Sequence, residues 1–235
     1  MYDVLRGLGP HLVFWQGVQG ADADNGRVFY EASFELGLDV WPGEKAHTAV
    51  LADRGMFRPL GELSNPSSVL SAPPTTVAVQ LSDTGLDSTP LCVVAGRVSS
   101  TDEVTRRSEA LLLASRTASM VTLLDGQRRR ALVIGGFDAA VCADPLMDGM
   151  PRTVFQRAGL ADVALLTSTE AALPSATGPD QAGYTGWLTS SRQLSSVWER
   201  VRTAGECGLP GHGMVAWAHR DHLASLLTRL RLPIA

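Results

Sequence analysis

Two acidic positions in this sequence adjoin apolar runs, as carboxylates at the ends of buried strands do. The run Ala131-Leu132-Val133-Ile134 ends in Gly135-Gly136, and Asp138 follows in a loop. Asp221 and His222 stand beside a second apolar stretch. Carboxylates and imidazoles at strand ends suit acid/base chemistry or the orientation of a substrate. We therefore take Asp138, Asp221 and His222 as candidate catalytic residues, although each could equally make a structural hydrogen bond.

Three further side chains are candidate substrate-binding residues. Arg97 follows an apolar run, and its planar guanidinium could hold a phosphate or a carboxylate. It could also be a solvated arginine at a strand end. Trp187 and Trp198 follow a long loop of small residues and could line an apolar pocket.

Histidines give a weaker signal for a metal site. His212, His219 and His222 lie close in the sequence, and imidazole is a good ligand for zinc and similar ions. In an extended segment, however, His219 and His222 would point to opposite faces. We therefore expect no metal site from these residues.

Composition narrows the class of protein. The chain has 235 residues, of which 45% are hydrophobic and 19% charged, which is typical of a globular protein. The net charge is −4 and the pI is about 5.7, which argues against a strongly cationic surface for nucleic acid. Lys45 is the one lysine among many arginines, as is usual in proteins from GC-rich genomes.

Cysteine usage and the hydropathy pattern bear on location. Cys92, Cys142 and Cys207 are widely spaced and form no CxxC pair, so a zinc knuckle or a thioredoxin motif is not expected. Free thiols of this kind are typical of a reducing compartment. The sequence shows no signal-peptide pattern and no apolar run long enough for a membrane span. These features predict a cytoplasmic protein without a membrane partner.

Hydrophobic periodicity predicts a single α/β domain over residues 1–235. The segment Arg58–Pro74 is rich in Ser, Pro and Asn, which is typical of a surface loop. Helices are expected at Tyr2–Leu8, Val28–Leu36, Asp102–Leu124 and Pro151–Ala158. Strands are expected at Leu12–Trp15, Leu38–Trp41, His47–Ala52, Thr75–Leu81, Leu91–Ala95, Ala131–Ile134, Asp162–Leu166, Met214–Ala218 and Leu223–Leu232.

The order of short motifs resembles that of the endonuclease/exonuclease/phosphatase superfamily, the fold of pancreatic deoxyribonuclease. Pro10–Val18 is similar to the family's P-D-(apolar)-L-Q-E-V strand, and Val133–Ala139 to its G-D-F-N-A segment. Further similar segments are Thr48–Arg54, Leu91–Val98, Arg106–Ala110, Ala158–Asp162 and Arg220–Leu223. The resemblance implies two stacked mixed β-sheets flanked by helices, a four-layer α/β sandwich. It also implies that the family's first strand is lacking here, which would leave a sheet edge exposed.

Most catalytic positions of this family are replaced in the sequence. The family's metal-binding glutamate falls on Gly17, its mid-chain histidine on Arg97, and its Asp and Asn pair on Gly136 and Asp138. Its closing Asp-His pair is retained. Mg²⁺ needs oxygen ligands that glycine side chains do not supply, and an arginine cannot act as a general acid or base. The resemblance therefore implies the fold but not metal-dependent phosphodiester hydrolysis.

The first functional hypothesis is a repurposed cleft at the strand ends. It would bind a small organic or anionic molecule through Arg97, and it could transform that molecule without metal. Asp138 and the Asp221-His222 pair would lie beside the ligand. No cofactor is expected under this hypothesis, and nucleic acid is not an expected partner.

Two alternatives remain. The second hypothesis is a non-catalytic interaction module that pairs through its exposed sheet edge, as a homodimer or with another protein. The third is a surviving Mg²⁺-dependent phosphodiesterase or phosphatase, with ligands from residues such as Glu31, Glu35 or Asp144.

Overall fold

A computed structural model describes residues 1–16, 25–43, 48–63, 70, 72–82, 89–98, 102–120, 132–137, 154–155, 157–163, 187–203, 205–208 and 214–229. The helices are α1 (Tyr2–Leu8), α2 (Arg27–Leu36), α3 (Glu103–Met120) and α4 (Arg220–Arg229), with 3₁₀ turns at Arg192–Val197 and Gly205–Cys207. The strands are β1 (Leu12–Gln16), β2 (Asp39–Pro42), β3 (Thr48–Ala52), β4 (Phe57–Glu62), β5 (Thr75–Leu81), β6 (Leu91–Gly96), β7 (Leu132–Phe137), β8 (Leu160–Asp162), β9 (Trp187–Ser191), β10 (Trp198–Thr203) and β11 (Met214–Ala218).

The larger sheet has six strands in the order β4-β5-β6-β7-β9-β8. Its central pair, β6 and β7, is parallel, with Leu91 opposite Leu132 and Gly96 opposite Phe137, and the other neighbours are antiparallel. A parallel pair requires a crossover connection, and here α3 lies in that connection. The side chain of Asp102 caps α3 by accepting a hydrogen bond from the Thr105 amide at 2.8 Å.

The smaller sheet has three antiparallel strands in the order β1-β3-β2. All residues of the central strand β3 are buried, whereas every residue of β1 and β2 keeps part of its surface exposed. Strands β10 and β11 form a separate antiparallel ribbon. Trp198 and Ala216 of this ribbon pack on the same apolar cluster as Leu12 and Phe14 of β1.

Three apolar clusters define the layers. The largest lies between the two sheets and joins residues such as Val50 of β3 to Val77 of β5 and Val93 of β6. A second cluster packs α3, through Leu113, on the other face of the larger sheet. A third packs α2, through Phe29, on the outer face of the smaller sheet. Helices thus cover the outside of two stacked sheets, and the four-layer α/β sandwich predicted from the sequence is confirmed.

Several elements differ from the prediction. Strand β9 was not expected, and β8 ends at Asp162, where the expected strand began. The first part of the segment expected as a loop, Arg58–Pro74, belongs to strand β4. The sequence did not indicate this strand, because Pro59 and Gly61 are typical turn residues. An edge strand tolerates both, and the ladder to β5 is irregular between them. The expected strand at Leu223–Leu232 is instead helix α4 over its described part, because Leu223 and Leu227, one helical turn apart, are both buried.

Helix α4 begins with a favourable charge. Asp221 lies in its first turn, where a negative charge complements the helix dipole. None of the helices in the described part of the chain is both long and apolar enough to cross a membrane.

Candidate functional site

The strands have two ends, which differ in the residues they carry. Strands β6 and β7 both finish at one of them, where Gly96 lies opposite Phe137 and Arg97 follows directly. We call this the Arg97 end. At the same end β5 begins with Thr75, which pairs with Ala95. Parallel strands commonly form ligand sites where their carboxyl ends meet.

Hydroxyl groups join the two sheets at the Arg97 end. The Thr48 Oγ1 of β3 lies 2.8 Å from the Thr75 Oγ1 of β5, and the Thr75 amide donates to Thr48 Oγ1 at 3.3 Å. Both threonines are buried. A Cβ atom added to Gly43 would collide with Thr75 Oγ1, so the chain passes these hydroxyls without room for a side chain. The space between the sheets is therefore closed here.

A second close approach lies one residue before the end of β7. A Cβ atom on Gly136 would lie 2.5 Å from both Cβ and Cγ of Phe14, on the facing sheet. Since the Cβ of Phe14 is fixed to its backbone, no rotation of the phenyl ring would relieve this clash. Any side chain at position 136 would require the two sheets to separate locally.

Arg97 is half-buried and directly follows the last residue of β6. Trp187 begins β9 opposite Phe137, which places its backbone at the same end, while its side chain lies outside the described part. Asp138 and Gly17 are also outside the described residues. The structure therefore brings Arg97 and the Trp187 backbone to one end of the sheets.

Trp198 lies elsewhere. It begins β10 directly after the 3₁₀ turn that follows β9, and its Nε1 donates to Ser190 Oγ at 2.9 Å. Its ring packs on the cluster between the sheets. This half-buried tryptophan anchors the ribbon to the core, and the structure does not bring it to Arg97.

Asp221 and His222 lie on α4 at the opposite end of the strands. The Thr89 amide, just before β6, donates to the carbonyl of Leu227 at 3.1 Å, which fixes α4 at the start of β6. A six-residue strand spans roughly 20 Å, so α4 and Arg97 are separated by about that length of β6. The expected grouping of Asp221 and His222 with Arg97 is not found, because residues 220–229 fold as a helix at the wrong end.

This second end, which we call the α4 end, contains the three histidines that the structure describes. His11 Nδ1 lies 2.9 Å from Asp53 Oδ2, and His219 Nδ1 lies 2.8 Å from Glu199 Oε1. The rings of His219 and His222 are 4.5 Å apart. The expectation that these two rings would face opposite ways is wrong, because the chain turns into α4 between them. His212 lies outside the described residues.

Asp53, at the α4 end, has a carboxyl group whose pKa is changed by its surroundings. Partial burial raises its pKa, but hydrogen bonds from His11 and from the Gly55 amide outweigh that effect. The charges of His11 and Arg220 act in the same direction, so the net pKa of Asp53 is lowered. The His11–Asp53 contact joins residues 42 positions apart in the sequence, so no local pattern indicated it.

The chain is similar to known proteins in its three-dimensional structure. No protein-family model matches the sequence, and no curated protein does. Among solved structures, an endonuclease/exonuclease/phosphatase from Bacteroides vulgatus superposes with a TM-score of 0.61 at 15% identity, covering 92% of this chain and 87% of that one. A humanized D. rerio TDP2 gives 0.57 at 15% identity, covering 91% and 90%. A mannosyl-6-phosphatase from Bacteroides thetaiotaomicron gives 0.55 at 11% identity, covering 86% and 79%.

This chain has the endonuclease/exonuclease/phosphatase fold. The prediction made from motif order is confirmed at that level, and the likeness extends over most of the chain. Low identity limits the conclusion to the fold, because a shared fold does not fix chemistry.

The metal centre implied by this fold does not fit the residues described. Gly136, at the position of the motif aspartate, has no ligand atom and no space for one. No group of three or more His, Cys, Asp or Glu side chains suited to a metal ion exists among the described residues. Glu31 and Glu35, considered above as substitute ligands, lie on α2 outside the smaller sheet and pair with Arg27 and Arg6. Asp144 is outside the described part.

Proposed function

We propose that this protein keeps the endonuclease/exonuclease/phosphatase fold without metal-dependent phosphodiester hydrolysis. In its place, the Arg97 end would bind a small anionic or organic molecule. The contact between Gly136 and Phe14 carries the first part of this proposal, since it fills the space that a motif carboxylate would need. Glycine at position 136 offers no oxygen ligand to a hydrated metal ion, so an organic or anionic ligand suits this end better.

Arg97 supports the choice of an anionic group. Its guanidinium keeps its positive charge throughout the physiological pH range and can donate two parallel hydrogen bonds to a phosphate or a carboxylate. Half-burial at the strand end strengthens such a contact relative to one on an open surface. Asp221 and His222 lie at the α4 end, so neither would take part in a metal-free reaction at the Arg97 end.

Calorimetry with inorganic phosphate as the probe tests the binding site. Arg97→Ala should weaken phosphate binding by about tenfold or more. Arg58→Ala is the matched control, because the Arg58 side chain donates to Gln80 at the exposed edge of the larger sheet. Equal phosphate affinity in the wild type and Arg97→Ala would refute the role of Arg97.

A parallel experiment tests the loss of hydrolysis. The wild-type protein is titrated with Mg²⁺ and Mn²⁺, and its activity on bis(p-nitrophenyl) phosphate is measured with each ion. We expect neither metal binding nor turnover. Metal-dependent turnover would overturn the proposal in favour of a surviving phosphodiesterase or phosphatase with Mg²⁺ as its cofactor.

A further inference from the structure

The four edge strands of the two main sheets are not alike. An edge strand presents unpaired N–H and C=O groups, and proteins protect such edges with prolines, charges, irregular pairing or short length. Strand β4 has Pro59, an irregular ladder and the charged residues Arg58 and Glu62. Strand β8 has three residues. Strand β2 has four residues and ends at Pro42.

Strand β1 lacks the protective features of the other three edge strands. Its sequence, Leu-Val-Phe-Trp-Gln, contains no charge and no proline, and its ladder to β3 runs without a shift. Within the described residues no strand pairs with its outer edge. All five residues are partly exposed although four of them are apolar.

The ladder shows which backbone groups of β1 face outward. The Asp53 amide donates to the His11 carbonyl at 2.9 Å, so His11 and Asp53 form a hydrogen-bonded pair. Hydrogen-bonded pairs alternate along an antiparallel ladder. Val13 and Trp15 therefore bond to β3, while the N–H and C=O groups of Leu12, Phe14 and Gln16 point away from it.

The same alternation at β2 gives a contrasting result. The Gly43 amide donates to the Thr48 carbonyl at 2.7 Å, so Asp39 and Trp41 also face β3. The outward positions of β2 are then Val40 and Pro42, and Pro42 has no N–H to offer. The smaller sheet thus has one edge that discourages further pairing and one that favours it.

We propose that a second copy of this chain pairs with the outer edge of β1, antiparallel about a two-fold axis at Phe14. In that register Phe14 faces its own counterpart and Leu12 faces Gln16 of the other copy. Each facing pair exchanges two hydrogen bonds, so every outward N–H and C=O of β1 in both copies finds a partner. A two-fold interface of this kind is self-complementary.

Lack of charge is what favours a second copy as the occupant. A strand paired with itself brings like residues together, and like charges opposite each other are unfavourable. Strand β1 has no charged residue, whereas β4, with Arg58 and Glu62, does. The pairing would join two three-stranded sheets into one continuous sheet, and it does not depend on a ligand at the Arg97 end.

Cysteine cross-linking tests both the pairing and its register. Facing residues of a hydrogen-bonded pair lie about 5.5 Å apart between Cα atoms, which a disulfide can bridge. Leu12→Cys and Gln16→Cys chains, mixed and oxidised, should form a covalent heterodimer. Either variant alone should not cross-link, because equal positions of the two copies would be roughly 13 Å apart.

Light scattering measures the association itself. The wild type should be a dimer, and Gln16→Pro, which removes an outward N–H at an edge, should raise the dissociation constant by about tenfold or more. Leu60→Lys, on exposed β4, should leave the dimer unchanged, and circular dichroism confirms that each variant is folded. A wild type that is monomeric at all concentrations up to that of the cross-linking reaction, or cross-linking by single variants alone, would overturn the proposal.

Discussion

At the Arg97 end, threonine hydroxyls, glycines and a phenyl ring close the space between the sheets; at the α4 end, imidazoles face carboxylates. Gly136 meets Phe14 at the first end, whereas His11 meets Asp53 and His219 meets Glu199 at the second. The groups suited to proton transfer have thus collected at the end opposite to Arg97. Strand order therefore shows where the parallel strands end without specifying which side chains lie there.

The largest expected effect concerns the closed end. Gly136→Ala should lower the free energy of unfolding by about 1–3 kcal/mol, because its methyl group overlaps Phe14. Gly136→Asp should cost more, since it also buries a carboxylate without a partner. Urea denaturation measures both.

A matched glycine serves as the control for this prediction. Gly7, in α1, has nothing within 4 Å of an added Cβ, so Gly7→Ala should raise stability by up to about 1 kcal/mol. Combining Phe14→Gly with Gly136→Ala should cost less than the two single changes together, because the methyl group then has room. Additive costs would show that the two residues do not interact.

A smaller effect is expected at the α4 end, and it depends on pH. The pKa of Asp53 lies below its ordinary value of 3.8 in the folded protein, mainly through its hydrogen bond from His11. The ionised carboxylate therefore stabilises the fold fully above about pH 4, and this contribution is lost as the pH falls through the folded pKa. His11→Ala should raise the pKa of Asp53 and make stability less sensitive to pH in that acid range.

NMR titration of the Asp53 carboxyl carbon checks this assignment. His222→Ala is the control, because the His222 ring lies beside His219 and is not hydrogen-bonded to Asp53. If His11→Ala left the pKa of Asp53 where it was, the interaction between the two would have no electrostatic consequence.

The smallest effect concerns Cys92, in the strand that connects the two ends. Burial raises the pKa of its thiol to about 12, so it stays protonated and unreactive in the folded protein. Iodoacetamide at pH 8 should modify the partly exposed Cys207 and spare Cys92 until urea is added. Since the folded pKa exceeds the ordinary value of 9.0, stability should decline as the pH rises above 9. Rapid labelling of native Cys92 would contradict its burial.

The sequence predicted the features that depend on local pattern. Strands β1, β3, β5, β6 and β11 and helix α2 follow from runs of apolar residues and from the stop at Gly37, whose left-handed φ of 67° suits glycine. The segment after His219 was misread because a short apolar run fits a strand or a buried helix equally well. In the folded chain, Leu223 and Leu227 are both buried against the larger sheet, and their spacing of one helical turn favours a helix.

Contacts between distant residues could not be predicted in this way. The sequence shows glycine at position 136 where the family has an aspartate, but nothing in it indicates that Phe14 occupies the space of that side chain. The His11–Asp53 pair likewise depends on the register of β1 against β3. Arg97 lies at a strand end because it directly follows the recognisable strand β6, whereas Asp221 and His222 lie on a helix where the sequence suggested a strand.

The parallel pairing of β6 with β7 also bears on how the chain reaches this structure. Antiparallel neighbours such as β4 and β5 can pair soon after they are synthesised, but β7 cannot join β6 until α3 and the rest of the crossover have emerged. The contact of Leu227 with Thr89 must wait for almost the whole chain. Leu223 and Leu227 of α4 are buried in the cluster between the sheets, so this cluster is completed only after α4 has been synthesised, and we expect the larger sheet to depend on chaperones until then.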